Sequence, residues 1–139
     1  MPLPFYPPPG QIVVCDFEGM KAPEIVKRRP AIVISPKLRG RKGLCTVVPI
    51  STTEPHREME HHFRLRIDPA LPNPYGAQDV WVKCDMVYTV CFERLNLPWG
   101  KDGSGKRQFV NQHVSADDLQ AIQRCMLAAL GFGELARYL

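Results

Sequence analysis

The sequence predicts a mainly β protein with one C-terminal helix, folded as a small antiparallel β-barrel. Several short runs rich in β-branched residues, bounded by proline, glycine or charged residues, are typical of strands. One amphipathic segment of helical period follows them, and no strand–helix–strand alternation precedes it. Because 139 residues suit one domain, we expect residues 1–139 to form a single unit.

The individual strands follow from two kinds of pattern. Three runs, IVVCDF, AIVIS and LCTVVPIS, have the length of a strand and consist mostly of apolar and β-branched residues. Two later runs, HHFRLRID and WVKCDMVYTV, alternate apolar with polar side chains, which is the period of a half-exposed strand. We therefore predict strands at residues 12–17, 31–35, 44–51, 61–68 and 81–90, and a short extended piece within residues 92–97.

The helix is predicted from its ends and its apolar face. Ser115 can cap the N-terminus, and Asp118 three positions later completes an approximate capping box. Gly131 is the residue that ends it. Between them, apolar side chains recur on one face at Leu119, Ile122, Met126 and Leu130.

The segments outside these elements are rich in proline or glycine. The prolines of residues 1–9 cannot pair in a sheet, so we predict an extended N-terminal arm along the body, with a proline-rich ligand motif as the alternative. Residues 18–28 form a loop. Residues 101–107 are predicted to be a mobile polar loop, and they lack the spacing of a phosphate-binding P-loop.

Composition excludes several classes of protein. Apolar residues make up 45% and charged residues 23%, as in ordinary soluble domains. The net charge of +4 favours acidic partners such as RNA, DNA or an acidic protein segment. Five cysteines without a CxxC pair indicate reduced thiols, and we find neither a membrane span nor a secretory signal, so the expected location is the cytoplasm with no membrane partner.

The best case for a metal site is a group of histidines and glutamates in residues 56–62. No second ligand cluster accompanies it at a fixed spacing, so a surface turn or strand edge is the simpler interpretation. We predict no metal and no cofactor. The residues concerned are His56, Glu58, Glu60, His61 and His62.

Four strings carry a resemblance to a known family. GQIVVCDFEG, KRRPAIVISP, CTVVPISTT and WVKCDMVYTV occur in the order, and near the spacing, of the MazF/PemK family of bacterial toxin endoribonucleases. The helix VSADDLQAIQRCMLAALGF resembles that family's closing helix, so the likeness covers about residues 10–132. It implies an SH3-like barrel that forms a homodimer, cuts single-stranded RNA without a metal, and is silenced by a cognate antitoxin protein.

Metal-free RNA cleavage uses the ribose 2′-hydroxyl as nucleophile, and the protein must stabilise the added charge on phosphorus. Arg29 matches the family's arginine, and its fork can bind two phosphoryl oxygens; the alternative is an arginine paired with a carboxylate at the start of a strand. Ser51 matches the family's hydroxyl residue, and Thr52 can replace it if the alignment shifts by one. Turn formation is the alternative for both.

The resemblance also implies roles for a pair on the later strand. Lys83 and Asp85 lie two positions apart, hence on one face, where some relatives carry an arginine and an aspartate. We predict that Asp85 accepts or positions a proton beside the cation, with an exposed ion pair as the alternative. The chain departs from relatives by having lysine at position 83 and no histidine in residues 18–28; His56, His61 or His62 can titrate near neutrality instead.

Basic residues cluster in residues 27–42, where a solvated loop is the simpler interpretation of the charge alone. Under the resemblance we assign RNA binding to five of them, Arg28, Lys37, Arg39, Arg41 and Lys42. Two other functions stay open. One is a CcdB-like toxin that binds gyrase without catalysis, and the other is a relative that binds RNA but no longer cuts it.

Overall fold

A computed structural model describes residues 3–139, so Met1 and Pro2 of the predicted arm lie outside the described residues. Within that range one α-helix, α1, spans Ala116–Ala129, and two 3-10 helices span Phe92–Arg94 and Gly133–Tyr138. The strands are β1 (Ile12–Cys15), β2 (Arg29–Val33), β3 (Leu44–Ser51), β4 (His62–Arg66), β5 (Asp79–Lys83), β6 (Tyr88–Cys91), β7 (Leu95–Asn96), β8 (Trp99–Lys101) and β9 (Arg107–Phe109).

Seven of these strands form one antiparallel sheet in the order β4-β5-β3-β2-β1-β7, with β6 paired to β3 beside this path. The first half of β3 pairs with β6 and its last two residues pair with β5. Within the described chain β4 and β7 are the end strands, so the sheet is not closed. The predicted class, mainly β with a C-terminal helix, is confirmed.

The central strands are buried on both faces over most of their length, which explains their mostly apolar sequences. One core lies between the sheet and α1, where Ile122 of the helix is fully buried. The other core lies on the opposite face and includes Leu3 of the N-terminal arm. Tyr6 in the same arm donates a hydrogen bond from its hydroxyl to the carbonyl oxygen of Pro36 at 3.0 Å, so the arm docks on the body.

The helix follows its prediction closely. Ser115 is the N-cap, and its Oγ accepts a hydrogen bond from the backbone N–H of Asp118 at 3.0 Å. The helix ends at Ala129, and Gly131 has the positive φ of 83° that suits a residue just beyond a helix. Within residues 3–139, no helix is long and apolar enough to cross a lipid bilayer.

Residues 81–90 were predicted as one strand, and that prediction is wrong. A turn closed by a hydrogen bond from the Met86 N–H to the Lys83 carbonyl oxygen at 3.1 Å separates β5 from β6. The two strands then pair with different halves of β3. No glycine or proline marks this turn in the sequence. The chain turns here because the two strands pair with different parts of β3.

The predicted polar loop 101–107 is instead the end of a hairpin formed by β8 and β9. Asp102 organises its turn. One carboxylate oxygen accepts hydrogen bonds from the N–H of Ser104 at 2.8 Å, the hydroxyl of Ser104 at 2.7 Å and the N–H of Lys106 at 3.0 Å. These bonds lower the pKa of the Asp102 carboxyl. The glycines here serve a hydrogen-bonded turn.

Candidate active site

A cavity of about 260 Å³ opens where β2 begins and β3 ends. Strand register explains why these two points meet. Ala31 pairs with Pro49, and continuing the antiparallel register by two residues brings Arg29 opposite Ser51. The cavity is lined by Lys27, Arg28, Arg29, Pro30, Ile50, Thr52, Ile67, Leu71, Pro74, Tyr75, Ala77 and Val80.

Arg29 is the residue best placed to hold an anion in this cavity. Its side chain is half-buried, and its Nε is buried with no hydrogen-bond acceptor. Within residues 3–139 it forms no ion pair with a carboxylate, unlike Arg28, which pairs with Asp16 at 3.2 Å. Because a buried donor without a partner is costly, the Nε of Arg29 is suited to an acceptor that enters from solution.

The structure separates the two candidate hydroxyls. Ser51 is buried, and its Oγ accepts a hydrogen bond from the backbone N–H of Thr53 at 3.1 Å. Thr52 is exposed and lines the cavity with Arg29. Ser51 therefore serves a turn at the end of β3, and Thr52 is the hydroxyl that a ligand in the cavity can reach.

The charge of the cavity has one sign. Three cations, Lys27, Arg28 and Arg29, line it, and no carboxylate does so within the described chain. Arg28 pairs with the carboxylate of Asp16, which also accepts a hydrogen bond from the Glu18 N–H at 3.0 Å. Both interactions lower the pKa of Asp16, so this carboxylate stays ionised and is a weak base.

Tyr75 forms one wall of the cavity, and sequence reasoning did not single it out. It lies in the proline-rich loop DPALPNPYG, which signals only turns. Burial raises the pKa of its phenol above the ordinary value of 10.0, so the hydroxyl stays neutral. The signal in the sequence was the aromatic residue itself. A tyrosine in a loop of turn residues has no strand or helix face to occupy, so its ring can line a neighbouring site.

Lys83 and Asp85 do not line this cavity. Lys83 ends β5 and pairs with His62, while Asp85 lies in the following turn with its Oδ2 3.8 Å from Nε2 of His61. The rings of His61 and His62 lie 4.2 Å apart. This group is therefore a separate polar cluster, and the structure does not bring it together with Arg29.

The basic loop of residues 37–42 also lies away from the cavity. It joins the end of β2 to the start of β3, whereas Arg29 and Thr52 lie at the other end of that hairpin. Since β3 has eight residues, it separates the two ends by roughly 26 Å. Lys37, Arg41 and Lys42 line a shallow depression beside the N-terminal arm instead. Of the five predicted RNA-binding residues, Arg28 alone lines the Arg29 cavity.

The arrangement is suited to binding a phosphodiester. A guanidinium with an unused buried donor, a reachable hydroxyl and two further cations surround a space without carboxylates. Within residues 3–139, no three histidine, cysteine, aspartate or glutamate side chains gather as metal ligands. The class defined by this fold and cavity is a small antiparallel β protein with a cation-lined cavity.

Comparison with known proteins makes the family specific. Residues 8–130 match the model of the PemK-like, MazF-like toxins of type II toxin–antitoxin systems, and the chain belongs to this family. The Escherichia coli K12 protein YifN is 26% identical, with 94% of this chain and 95% of YifN covered. A Haemophilus influenzae Rd protein is 28% identical, with 93% of each chain covered.

Solved structures agree in fold. MazF from Deinococcus radiodurans has a TM-score of 0.62 and 22% identity, with 91% of this chain and 98% of that chain covered. A mycobacterial endoribonuclease, solved in complex with its cognate antitoxin, has a TM-score of 0.58 and 19% identity, with 91% and 96% covered. At these identities the likeness establishes the shared fold, which is the fold that the sequence predicted.

Proposed function

We propose that this toxin is an endoribonuclease that cuts single-stranded RNA at the Arg29–Thr52 cavity. The observation that carries the proposal is the buried Nε of Arg29, a donor without an acceptor in a cavity lined by cations and the Thr52 hydroxyl. A phosphodiester supplies the missing acceptor oxygens. Family membership supports the same activity, since the mycobacterial and Deinococcus structures are of an endoribonuclease and of MazF.

In the proposed reaction the ribose 2′-oxygen forms a bond to phosphorus, and the bond from phosphorus to the 5′-oxygen breaks. The products are a 2′,3′-cyclic phosphate and a 5′-hydroxyl. Arg29 stabilises the charge that builds on the phosphoryl oxygens, and Thr52 donates a hydrogen bond to one of them. The 2′-hydroxyl gives its proton to water, because no carboxylate or imidazole lines the cavity within the described chain, and water protonates the 5′-oxygen.

The other candidate residues have more distant roles in this proposal. In this proposal Asp85 keeps the predicted role of a positioning group, and Lys83 that of a charge partner, for a substrate that also reaches their cluster beside His61. Arg28 contacts RNA at the cavity. Lys37, Arg39, Arg41 and Lys42 contact more distant phosphates of a longer strand, where each contact adds affinity that salt weakens.

We further propose two protein partners, a cognate antitoxin and a second copy of this chain. The mycobacterial and Deinococcus relatives were solved with an antitoxin and with MazE, respectively. An acidic antitoxin segment suits the same cationic cavity. Apolar side chains are exposed near the C-terminus at Leu130, Phe132 and Leu135, which supports a homodimer. Light scattering at micromolar concentration checks the dimer, and a monomer there contradicts it.

The experiment that tests the proposed function is controlled induction in growing cells. The wild-type chain should arrest growth and fragment transcripts, whereas Arg29→Ala, expressed to the same level, should do neither. Growth arrest with intact transcripts would contradict the proposal and favour a toxin that acts by binding, such as a gyrase poison. Normal growth with intact transcripts would contradict toxicity itself.

A further inference from the structure

A second cavity adjoins the first. It has a volume of about 310 Å³, at the lower end of the range for small-molecule sites. Arg28, Pro74 and Tyr75 line both cavities, so the loop that carries Tyr75 forms a common wall. A ligand held at Arg29 can therefore extend past Tyr75 into the second space.

The hairpin of β8 and β9 supplies the outer wall of this second cavity. Gly100 at its base packs closely on the Tyr75 loop, since a Cβ on Gly100 would lie 3.1 Å from Cβ of Pro72. The Asp102 turn fixes the far end of the hairpin. Gly100 is flanked in sequence by Trp99 and Lys101, and both of these residues line the cavity.

Trp99 offers an aromatic surface there. Trp99 lines the cavity and is 38% exposed, so part of its side chain is open to solvent. The guanidinium of Arg107 lies 4.3 Å from the ring centroid but does not line the cavity. The cation–π contact therefore holds the ring while part of it stays available for stacking.

The remaining polar groups of the cavity are amides and cations. Asn96, which pairs with Val14 at the edge of the sheet, and Asn73 carry amides that both donate and accept hydrogen bonds. Lys101 and Arg28 add positive charge, and no carboxylate lines the cavity within the described chain. Single-stranded RNA is recognised in this way, by aromatic stacking of splayed bases, hydrogen bonds to base edges and cations for phosphate.

We propose that the second cavity is a nucleotide subsite of single-stranded RNA, taking the base next to the phosphate held at Arg29. Trp99 stacks on the base, Asn96 bonds its edge, and Lys101 contacts the following phosphate. The subsite gives the toxin its base preference at that position. This inference rests on the proposed function, because the bound phosphate at Arg29 sets which base arrives at Trp99.

The test uses tryptophan fluorescence and RNA that cannot be cut. The chain has two tryptophans, so Trp81→Phe leaves Trp99 as the sole reporter. Short oligoribonucleotides with 2′-O-methyl riboses lack the nucleophile, and titrating them should quench Trp99 in a saturable way. Asn96→Asp, in the Trp81→Phe background, should weaken binding about ten-fold or more, because it places a carboxylate in a cavity that has none.

A matched control comes from a second exposed arginine–aromatic pair. The Arg137 guanidinium lies 5.0 Å from the ring centroid of Tyr138, and Tyr138 lines neither cavity. Tyr138→Ala should leave the affinity for this RNA unchanged, whereas Trp99→Ala, followed by fluorescence anisotropy of labelled RNA, should lower it about ten-fold. Asn96→Asp keeps the test valid if Trp99→Ala disturbs the hairpin.

The outcomes separate this inference from the proposed function. Quenching of Trp99 in a protein that does not cut ordinary RNA supports the subsite and contradicts the nuclease. Cleavage of ordinary RNA without quenching by the 2′-O-methyl RNA contradicts the subsite and leaves the nuclease standing. Quenching by an acidic peptide but not by RNA also overturns the inference, since the cavity would then be a site for a protein segment.

Discussion

Arg29 and Thr52 are brought together by strand register. They are 23 positions apart in sequence, yet one begins β2 and the other follows β3, and these strands are antiparallel neighbours. The pairing was predictable from two strands that follow one another in sequence with a short loop between them. Which of the two hydroxyls faces the cavity was not predictable from sequence. It depends on the turn after β3, where Ser51 Oγ accepts a hydrogen bond from the Thr53 N–H.

Replacing Arg29 tests the charge role. Arg29→Ala should lower the rate of RNA cleavage by a factor of about 100–1,000, the usual effect of removing one donor to a developing anion. Arg29→Lys keeps the charge but loses the paired donors of the guanidinium. Its cleavage rate should therefore lie between the rates of Arg29→Ala and the wild type. Initial rates on a short single-stranded RNA provide the measurement. Equal rates for Arg29→Ala and the wild type would exclude the role.

Thr52→Val and Ser51→Ala are a pair of variants that should affect different properties. The first should change the cleavage rate and the second the stability. Thr52→Val keeps the shape but removes the hydroxyl, so we expect cleavage about ten-fold slower or more with unchanged stability. Ser51→Ala removes the acceptor for the Thr53 N–H, and it should cost about 1 kcal/mol of unfolding free energy. Cleavage rates and urea unfolding curves measure the two effects. The reverse pattern would make Ser51 the functional hydroxyl.

His62 gives a prediction for the pH dependence of stability. Burial, together with the neighbouring His61, lowers the pKa of His62 below its ordinary value of 6.5, and its Nδ1 accepts a hydrogen bond from the Met59 N–H at 2.9 Å. His62 therefore binds a proton more readily in the unfolded chain than in the folded one. The free energy of unfolding consequently falls as the pH drops below about 6.5. His62→Gln should reduce this fall in melting temperature. An equal fall in both proteins would contradict the assignment.

At the scale of elements, prediction worked where local sequence determines structure. The predicted bounds of β3, residues 44–51, are those observed, because proline, glycine and charged residues flank a continuous apolar run. The division of residues 81–90 into β5 and β6 was not predicted, because it follows from two partners along β3. The β8–β9 hairpin was missed for a related reason, since its strands have only three residues each.

The helix end offers a prediction of stability at this scale. Ser115→Ala removes the side-chain acceptor for the Asp118 N–H, which should lower the unfolding free energy by about 1 kcal/mol. Cleavage should be unaffected at temperatures where the variant stays folded, because α1 lines neither the Arg29 cavity nor its neighbour. Chemical denaturation measures the change. No loss of stability would show that water replaces the cap at no cost.

For the whole molecule, the sequence supported the fold class, the family and one half of the candidate site. Arg29 and the hydroxyl region came from the resemblance, and the cavity adds their surroundings. Tyr75 and the hairpin residues escaped because they reach the site through tertiary packing of segments whose sequences indicate only turns. The loop of residues 37–42 has the highest density of basic residues. It lies at the end of the β2–β3 hairpin opposite to Arg29 and Thr52.

The most direct measurement is the chemistry of the RNA ends produced by the purified toxin in excess EDTA. The proposed mechanism predicts cleavage that persists in EDTA, with 2′,3′-cyclic phosphate and 5′-hydroxyl ends, at a rate about 100–1,000 times that of Arg29→Ala purified in the same way. Intact RNA with the wild-type protein would contradict the account. So would products with 5′-phosphate ends, because attack by the ribose 2′-oxygen cannot produce them.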